Sequence, residues 1–176
     1  MDEECIKKIE TRQSIRRFTG EPLHESEILE IIKIGTRAPS AGNKQPWRIV
    51  LVTREKTKEQ LVAAAYGQTF ITAAAAIFVV CAVPYESAER YGERGSTLYV
   101  LQDTAALAEN ILLAAHIKGY GACWVGAFDE IEVRKILNVP KEMRPVVLIP
   151  IGKTAGNLPN PRTRKQVSDI LIQESF

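Results

Sequence analysis

The chain has 176 residues, of which 45% are apolar and 25% are charged, and its net charge is +2. That balance is typical of a globular protein, predicted as one domain over 1–176, and is too close to neutral to indicate a nucleic-acid-binding protein. The longest apolar run, 73–83, is about half of what a membrane span needs, so we expect no membrane association. The three cysteines form no CxxC pair and the start is charged rather than apolar, which predicts reduced thiols and a cytoplasmic location.

Apolar periodicity predicts about five helices, at 2–11, 25–36, 56–65, 97–118 and from Asp129 onward. It predicts buried strands at 48–53, 77–83 and 145–151, with a short extended segment at 122–128. Single helices do not separate these strands regularly, which favours an α+β fold over a doubly wound parallel sheet. Residues 84–95 are polar and predict a mobile loop or a short irregular helix, of a size that lids often have.

Three hydrogen-bonding side chains alternate near the start of the chain, at Arg12, Ser14 and Arg16. In an extended segment all three would point the same way, because strand side chains repeat every second residue. Such a face suits an anion. The alternative, at even odds on spacing alone, is a solvated edge with Ile15 and Phe18 packed inward.

The stretch 38–47, APSAGNKQPW, follows a predicted helix and precedes a β-branched run. Its density of polar side chains beside a tryptophan predicts a ligand-holding loop, with Trp47 packed in the core. A second basic cluster lies near the end of the chain, at Arg162, Arg164 and Lys165. Two separate basic clusters suit a phosphate-sized anion better than a long polyanion.

Several familiar chemistries have no motif in this chain. It contains no Walker A motif, and its glycines at 119, 121 and 126 do not fit GxGxxG. Its two histidines, His24 and His116, have no second ligand at metal spacing. Cys123 has no basic neighbour in sequence, so we interpret it as a packed thiol rather than a nucleophile. If the chain is an enzyme, a cofactor is expected to supply the chemistry.

The motifs RQSIRRF at 12–18 and APSAGNKQPW at 38–47 resemble, in order and spacing, those of the nitroreductase family of flavoproteins. YGQ at 66–68, the pair at 102–103, GYGACWVGAF at 119–128 and PRTR at 161–164 also look like that family. The resemblance covers nearly the whole chain, and the short length looks like the compact subgroup. It implies a central sheet, mixed but mostly antiparallel, flanked by helices in an intertwined homodimer. The tail, about 157–176, is then expected to pack on the partner subunit.

The resemblance further implies FMN, bound non-covalently at the dimer interface. The residues it implies for cofactor binding are Arg12, Gln13, Ser14, Arg16, Pro39, Ser40, Asn43, Gln45, Gln68, Val125, Gly126, Arg162 and Arg164. In the family, the equivalents of Arg12, Arg162 and Arg164 bind the phosphate, with Ser14 beside them, and that of Arg16 reaches the pyrimidine edge. The loop 38–47 is expected to reach the FMN of the other subunit. The N–H groups of Val125 and Gly126 are expected to bond flavin N5 and O4, whereas only Gln68 stands where longer members have further pyrimidine contacts.

The implied activity is transfer of hydride from NAD(P)H through FMN to a nitroaromatic, quinone or related small acceptor, by a ping-pong mechanism. It requires no catalytic side chain and no metal. Two alternatives remain open. One is another flavin reaction on the same scaffold, such as flavin fragmentation, dehalogenation or azoline oxidation. The other is a flavin-binding or redox-sensing protein without significant turnover.

Overall fold

The structure is a computed structural model that describes residues 3–175, apart from the side chain of Cys5. Within that range the helices are α1 Glu3–Thr11, α2 Glu25–Gly35, α3 Glu55–Ala64, α4 Pro84–Arg94, α5 Val100–Ile117 and α6 Glu130–Leu137. The strands are β1 Trp47–Val52, β2 Ala76–Ala82, β3 Gly121–Ala122 and β4 Arg144–Gly152. The predicted helix at 2–11 is thus confirmed from Glu3 onward, and residue 2 lies outside the described range.

The four strands form one sheet in the order β1-β2-β4-β3, and every neighbouring pair is antiparallel. A single parallel bridge, between Ser14 and Ala122, joins the N-terminal segment to the β3 edge. The predicted α+β fold with a mostly antiparallel sheet and flanking helices is confirmed. Antiparallel order also explains why the strands need no regular helical crossovers.

β2 is one of the two inner strands of the sheet, and all seven of its residues are buried. Phe78 and Val80 pack on one side with α2 and α5, whereas Ile77, Val79 and Cys81 pack on the other side with α3 and α6. This two-residue alternation is the geometry of a strand covered on both faces. The predicted buried strand at 77–83 is confirmed, and its apolar run lacks polar alternation because neither face meets water.

α5 lies across the sheet and contacts all four strands as well as α1 and α2. Leu107 and Ile111 are fully buried on its inner side. Its other side leaves Ala105 and Ile117 exposed in the single chain. The predicted helix at 97–118 is confirmed from Val100 to Ile117. The helix begins at Val100, because residues Gly95–Tyr99 form a π-helical turn.

Two sequence predictions about burial were wrong. The strand at 48–53 was expected to be buried, yet β1 lies at the sheet edge and leaves Arg48 and Leu51 exposed. In the helix predicted at 25–36, the spacing of Ile28, Leu29, Ile31 and Ile32 predicts one shared apolar face. Leu29 is nevertheless 58% exposed, while Ile28 and Ile31 are buried. Neither error was avoidable from one sequence, since an apolar residue at the surface is common.

Residues 84–95 form a helix with a break rather than a loop. Pro84 occupies the first turn of α4, where its missing N–H costs nothing. Gly92 has φ +56° and ψ −139°, outside helical geometry, so the backbone kinks there. The irregular-helix interpretation is therefore the one confirmed. No helix in the described part of the chain is long and apolar enough to span a membrane.

The helix predicted from Asp129 onward begins with half of a capping box, the reciprocal hydrogen bonds between an N-cap side chain and the residue three positions later. The Asp129 carboxylate accepts hydrogen bonds from the N–H groups of Ile131 and Glu132, at 2.9 and 3.0 Å. The Glu132 side chain does not complete the box, because it pairs with Lys135 at 2.7 Å. Asn138, with φ +52°, ends the helix in the left-handed conformation.

Candidate functional site

A cavity of about 1080 Å³ brings together the two basic clusters of the sequence. Its walls come from α1, the segment after it, the end of α5 and the C-terminal tail. The cationic side chains that line it are Lys7, Lys8, Arg12, Arg16, Arg162 and Arg164. Three carboxylates also line it, those of Glu3, Glu4 and Glu10. Among the described lining residues, six cations face three anions, and this excess of positive charge attracts anions. The two arginine pairs lie about 150 residues apart in sequence.

Backbone hydrogen bonds to the sheet edge hold the N-terminal half of this cavity. The N–H of Ile15 donates to the carbonyl of Ala122 at 2.9 Å, and that of Thr19 to Lys153 at 3.0 Å. Ile15 and Phe18 are buried against Ala74. With these two apolar side chains turned inward, Arg12, Ser14 and Arg16 line the cavity. The inward packing of Ile15 and Phe18 is therefore confirmed, and the three polar side chains share the other face. That this face binds an anion stays a prediction.

The arginines of the cavity are unequally neutralised. Arg12 is 3.5 Å from the Glu109 carboxylate. Among the described residues, Arg16, Arg162 and Arg164 have no carboxylate within 4.0 Å. The Arg16 guanidinium lies 5.9 Å from the centre of the Phe70 ring, a cation–π distance. Arg16 and Arg162 keep their N–H donors available to an anion that enters the cavity. Arg164 Nη1 already donates to the carbonyls of Arg162 and Thr163, both at 3.2 Å, so only its other N–H groups are available.

Gln13 and His116 line the same cavity. The side-chain oxygen of Gln13 is buried and has no hydrogen-bond partner among the described residues. His116 Nε2 is 3.0 Å from the Thr11 hydroxyl, which itself donates to the carbonyl of Lys7 at 2.7 Å. The single hydroxyl proton is thus used, so His116 donates through Nε2. Burial, with Lys8 and Arg12 nearby, lowers the pKa of His116, which favours the neutral ring.

His116 lies on the helix predicted at 97–118, but the sequence did not indicate its place in the cavity. Its hydrogen-bond contact is with Thr11, more than 100 residues earlier, and Arg12 also lies nearby. No local motif carries that information. A polar residue on the inner side of a predicted helix end was the one available signal.

The loop 38–47 lies outside this cavity and is ordered largely by its own side chains. The Ser40 hydroxyl accepts from the N–H of Gln45 at 3.0 Å, and the Gln45 amide lies 3.3 Å from both the carbonyl and the side-chain oxygen of Asn43. Gly42, Asn43 and Gln45 all have positive φ. Trp47 is buried in the core, as predicted. Within one chain, the loop and the arginines are therefore not brought together.

Asp103 of α5 holds this loop through a hydrogen bond to its backbone. Its Oδ1 accepts the N–H of Ala41 at 3.0 Å, while its buried Oδ2 has no partner among the described residues. Burial raises the pKa of Asp103, and the hydrogen bond from Ala41 opposes that shift. Sequence reasoning noted the pair at 102–103 only as a resemblance and gave Asp103 no role.

This raised pKa predicts a pH-dependent stability. The folded protein holds the proton of Asp103 more tightly than the unfolded chain, so stability falls as pH rises from about 4, the ordinary carboxyl value, through the raised pKa. Asp103→Asn keeps an oxygen for Ala41 and removes the buried charge. In thermal melts from pH 4 to 7, we expect the variant to gain melting temperature over the wild type as pH rises. A difference that does not change with pH would contradict this.

The segment 119–128 corrects one predicted contact. The N–H of Val125 donates to the carbonyl of Leu148 at 2.9 Å, so it is not available for flavin N5 as expected. Gly126 is exposed, and its N–H has no acceptor within the described residues. The amide of Gln68 donates to the carbonyls of Ala65 and Ala127, both at 3.0 Å, which leaves only its oxygen for a ligand. Sequence alone does not show this, because the partners are main-chain groups of other elements.

Cys123 is fully buried, and burial raises the pKa of its thiol. A buried, protonated thiol is a poor nucleophile, in agreement with the packed-thiol interpretation. Cys81 is buried as well, and neither cysteine forms a disulfide. Among the described residues, no group of three His, Cys, Asp or Glu side chains is arranged to hold a metal ion.

Comparison with known proteins places this geometry in a family. The model of the nitroreductase family matches residues 9–71 and 61–153. The chain is 39% identical over 155 residues to an Archaeoglobus fulgidus protein named "Putative NADH dehydrogenase/NAD(P)H nitroreductase", and the match covers 85% of each. It is 30% identical over 171 residues to the NADH dehydrogenase of Thermus thermophilus, covering 82% of this chain and 83% of that one.

A solved structure with a similar fold is the NADPH:FMN oxidoreductase from Vibrio harveyi complexed with NAD+. The two chains superpose with a TM-score of 0.89 at 25% sequence identity. The match covers 98% of this chain and 77% of that chain. The fold described above is therefore shared along almost the entire length of this chain.

Proposed function

This chain belongs to the nitroreductase family, and on that premise we propose that it is an FMN-dependent oxidoreductase. It would take hydride from NAD(P)H and reduce a nitroaromatic, quinone or related small acceptor. The observation that carries the proposal is the convergence of Arg12, Arg16, Arg162 and Arg164 on one cavity. Guanidinium groups bind phosphate in a bidentate manner, and FMN ends in a phosphate dianion.

The donors and acceptors of the cavity fit FMN beyond its charge. Arg12, Arg162 and Arg164 would bind the phosphate with the Ser14 hydroxyl. The unpartnered buried oxygen of Gln13 would accept a hydrogen bond from a ribityl hydroxyl, which satisfies an otherwise costly group. A cavity of about 1080 Å³ leaves room beyond the phosphate itself.

The remaining contacts point to a homodimer. Pro39, Ser40, Asn43 and Gln45 lie away from the arginine cavity, so in this proposal they contact the FMN bound by a partner subunit. The tail adds a second reason. Its apolar side chains are 50–68% exposed in the single chain, namely Leu158, Val167, Ile170, Leu171 and Ile172. Apolar surface of this extent on an extended tail is stabilised by packing on a partner.

FMN, when bound, would supply the redox chemistry by accepting hydride from NAD(P)H and delivering it to the acceptor in the same place. The protein's part is positioning and tuning. The positive charge of Arg16 would stabilise negative charge at the pyrimidine edge. The free N–H of Gly126 would donate to the flavin ring edge, a role that Val125 cannot share. No side chain is required as an acid or base, and a cytoplasmic location remains a prediction from the cysteines.

Anaerobic reduction of the purified protein tests the proposal. We expect a yellow protein that releases FMN on denaturation, loses its flavin absorbance on addition of NADH or NADPH, and regains it with a nitroaromatic or quinone. Reduction without reoxidation by any acceptor would favour a sensing protein, and loss of the flavin itself under oxygen would favour flavin fragmentation. A colourless protein that also fails to bind added FMN would contradict the proposal.

A further inference from the structure

The C-terminal half of α4 carries two arginines that stack on tyrosine rings. The guanidinium carbon of Arg90 lies 5.4 Å from the centre of the Tyr91 ring, and that of Arg94 lies 5.3 Å from the Tyr99 ring. Arg94 Nε also donates to the Tyr99 hydroxyl at 3.0 Å, and the two rings meet edge to face at 5.2 Å. Stacking fixes the plane of a guanidinium and leaves its N–H edge for a further partner.

These two arginines are not neutralised by the acidic residues around them. Two of the three glutamates of α4 pair with cations off the helix, in Arg48–Glu86 and Lys44–Glu89. The third, Glu93, is exposed and has no ion pair among the described residues. Within the same part of the chain, neither Arg90 nor Arg94 has a carboxylate within 4.0 Å, and both are exposed.

The arginine nearer the loop lies directly against its backbone. A Cβ atom placed on Gly42 would lie 2.5 Å from the Tyr91 hydroxyl and 3.0 Å from Arg90 Nη1. The absence of a side chain at Gly42, which has φ +57°, is therefore what admits this contact. The ion pair Lys44–Glu89, at 2.8 Å, joins α4 to the same loop. Arg90 thus lies against Gly42, which belongs to the same loop as Ser40 and Asn43, the residues that we assign to the flavin.

We propose that Arg90, held by Tyr91 and supported by Arg94, forms an anion subsite beside the flavin. The inference rests on the proposed function, because it takes the loop to contact FMN. The subsite would select substrates that carry a carboxylate or phosphate near an aromatic ring, which a stacked guanidinium binds through two parallel hydrogen bonds. Two sources of that anion are an acidic aromatic acceptor and the phosphates of the nicotinamide dinucleotide.

Matched ligands separate the subsite from general binding. We would measure dissociation constants of 4-nitrobenzoate and 4-nitrobenzamide by calorimetry on oxidised, FMN-loaded protein without reductant. The two differ mainly in charge. We expect the wild type to bind the benzoate about tenfold more tightly, and Arg90→Gln or Arg90→Gln/Arg94→Gln to lose that preference. Arg54→Gln, an exposed arginine beyond the far end of β1, is the matched control and should keep it.

Steady-state kinetics identify the source of the anion. If Arg90→Gln loses the preference for 4-nitrobenzoate and its KM values for NADPH and NADH do not change, the natural anion lies on the acceptor. If instead the KM for NADPH and NADH rises several-fold in Arg90→Gln but not in Arg54→Gln, the phosphates of the reductant occupy the subsite. Unchanged values in both measurements would overturn the inference while leaving the flavin activity intact. A wild-type protein without flavin would overturn the proposed function, a separate outcome visible before any ligand is added.

Discussion

Replacing both tail arginines, in Arg162→Ala/Arg164→Ala, is expected to weaken FMN binding about 30- to 150-fold. Each charge-assisted contact with a phosphate contributes on the order of 1.5–3 kcal/mol, and the exposure of both side chains reduces the pair to roughly 2–3 kcal/mol in total. Titration of the FMN-free protein with FMN, followed by flavin fluorescence, measures the loss. The defect should shrink at high salt, because screening weakens the wild-type contacts more than those of the variant.

The control is a second double variant that removes the same charge elsewhere. Arg54→Ala/Lys56→Ala changes two exposed cations near the start of α3, and neither side chain has a hydrogen bond or ion pair in the described structure. It should leave FMN affinity within about twofold of the wild type, the scale of a surface substitution. Equal losses in the two variants would show that net charge, and not the arginine cavity, determines affinity.

The sequence predicted those elements of the fold that a single local pattern of apolar and polar residues determines. The uninterrupted apolar run at 77–83 predicted a buried strand, and the structure places it between α5 on one side and α3 and α6 on the other. The alternation at 12–16 predicted the side chains that reach the cavity, because backbone bonds to Ala122 keep this segment extended. Such local patterns are reliable because the spacing of apolar residues along the chain decides which side chains are buried when the chain folds.

What the sequence did not predict depends on pairings between distant elements. The N–H of Val125 is used by Leu148, and the amide of Gln68 by Ala127, so their expected roles changed once partners were known. Asp103 and Arg90 gained roles in the same way, through contacts with the loop at Ala41 and Gly42. A hydrogen bond to a main-chain group can form with a residue of any type, so the sequence does not show it. Sequence therefore predicted which segments form the site better than which atoms are free in it.

A side chain at Gly121 is expected to destabilise the junction between the N-terminal segment and β3. A Cβ there would lie 2.6 Å from Ile15 Cγ2, 2.9 Å from Ile15 Cβ and 2.7 Å from the Thr154 hydroxyl oxygen, all within buried or half-buried packing. The φ of Gly121 is not in the left-handed region, so the effect is steric. We expect Gly121→Ala to cost roughly 2–3 kcal/mol, as overpacking does, and to lower the melting temperature by about 5–10 °C.

The same substitution should also weaken FMN binding, because Ser14 and Arg16 flank the displaced Ile15. The double variant Gly121→Ala/Ile15→Ala removes the Cγ2 atom from the clash and should be more stable than the two single losses, added together, predict. Residues in direct contact show this non-additivity, whereas independent sites do not. Thermal melts and FMN titrations of the three variants complete the cycle. Strictly additive losses, or a Gly121→Ala protein with unchanged FMN affinity, would show that the cavity does not depend on how this segment is held to the sheet.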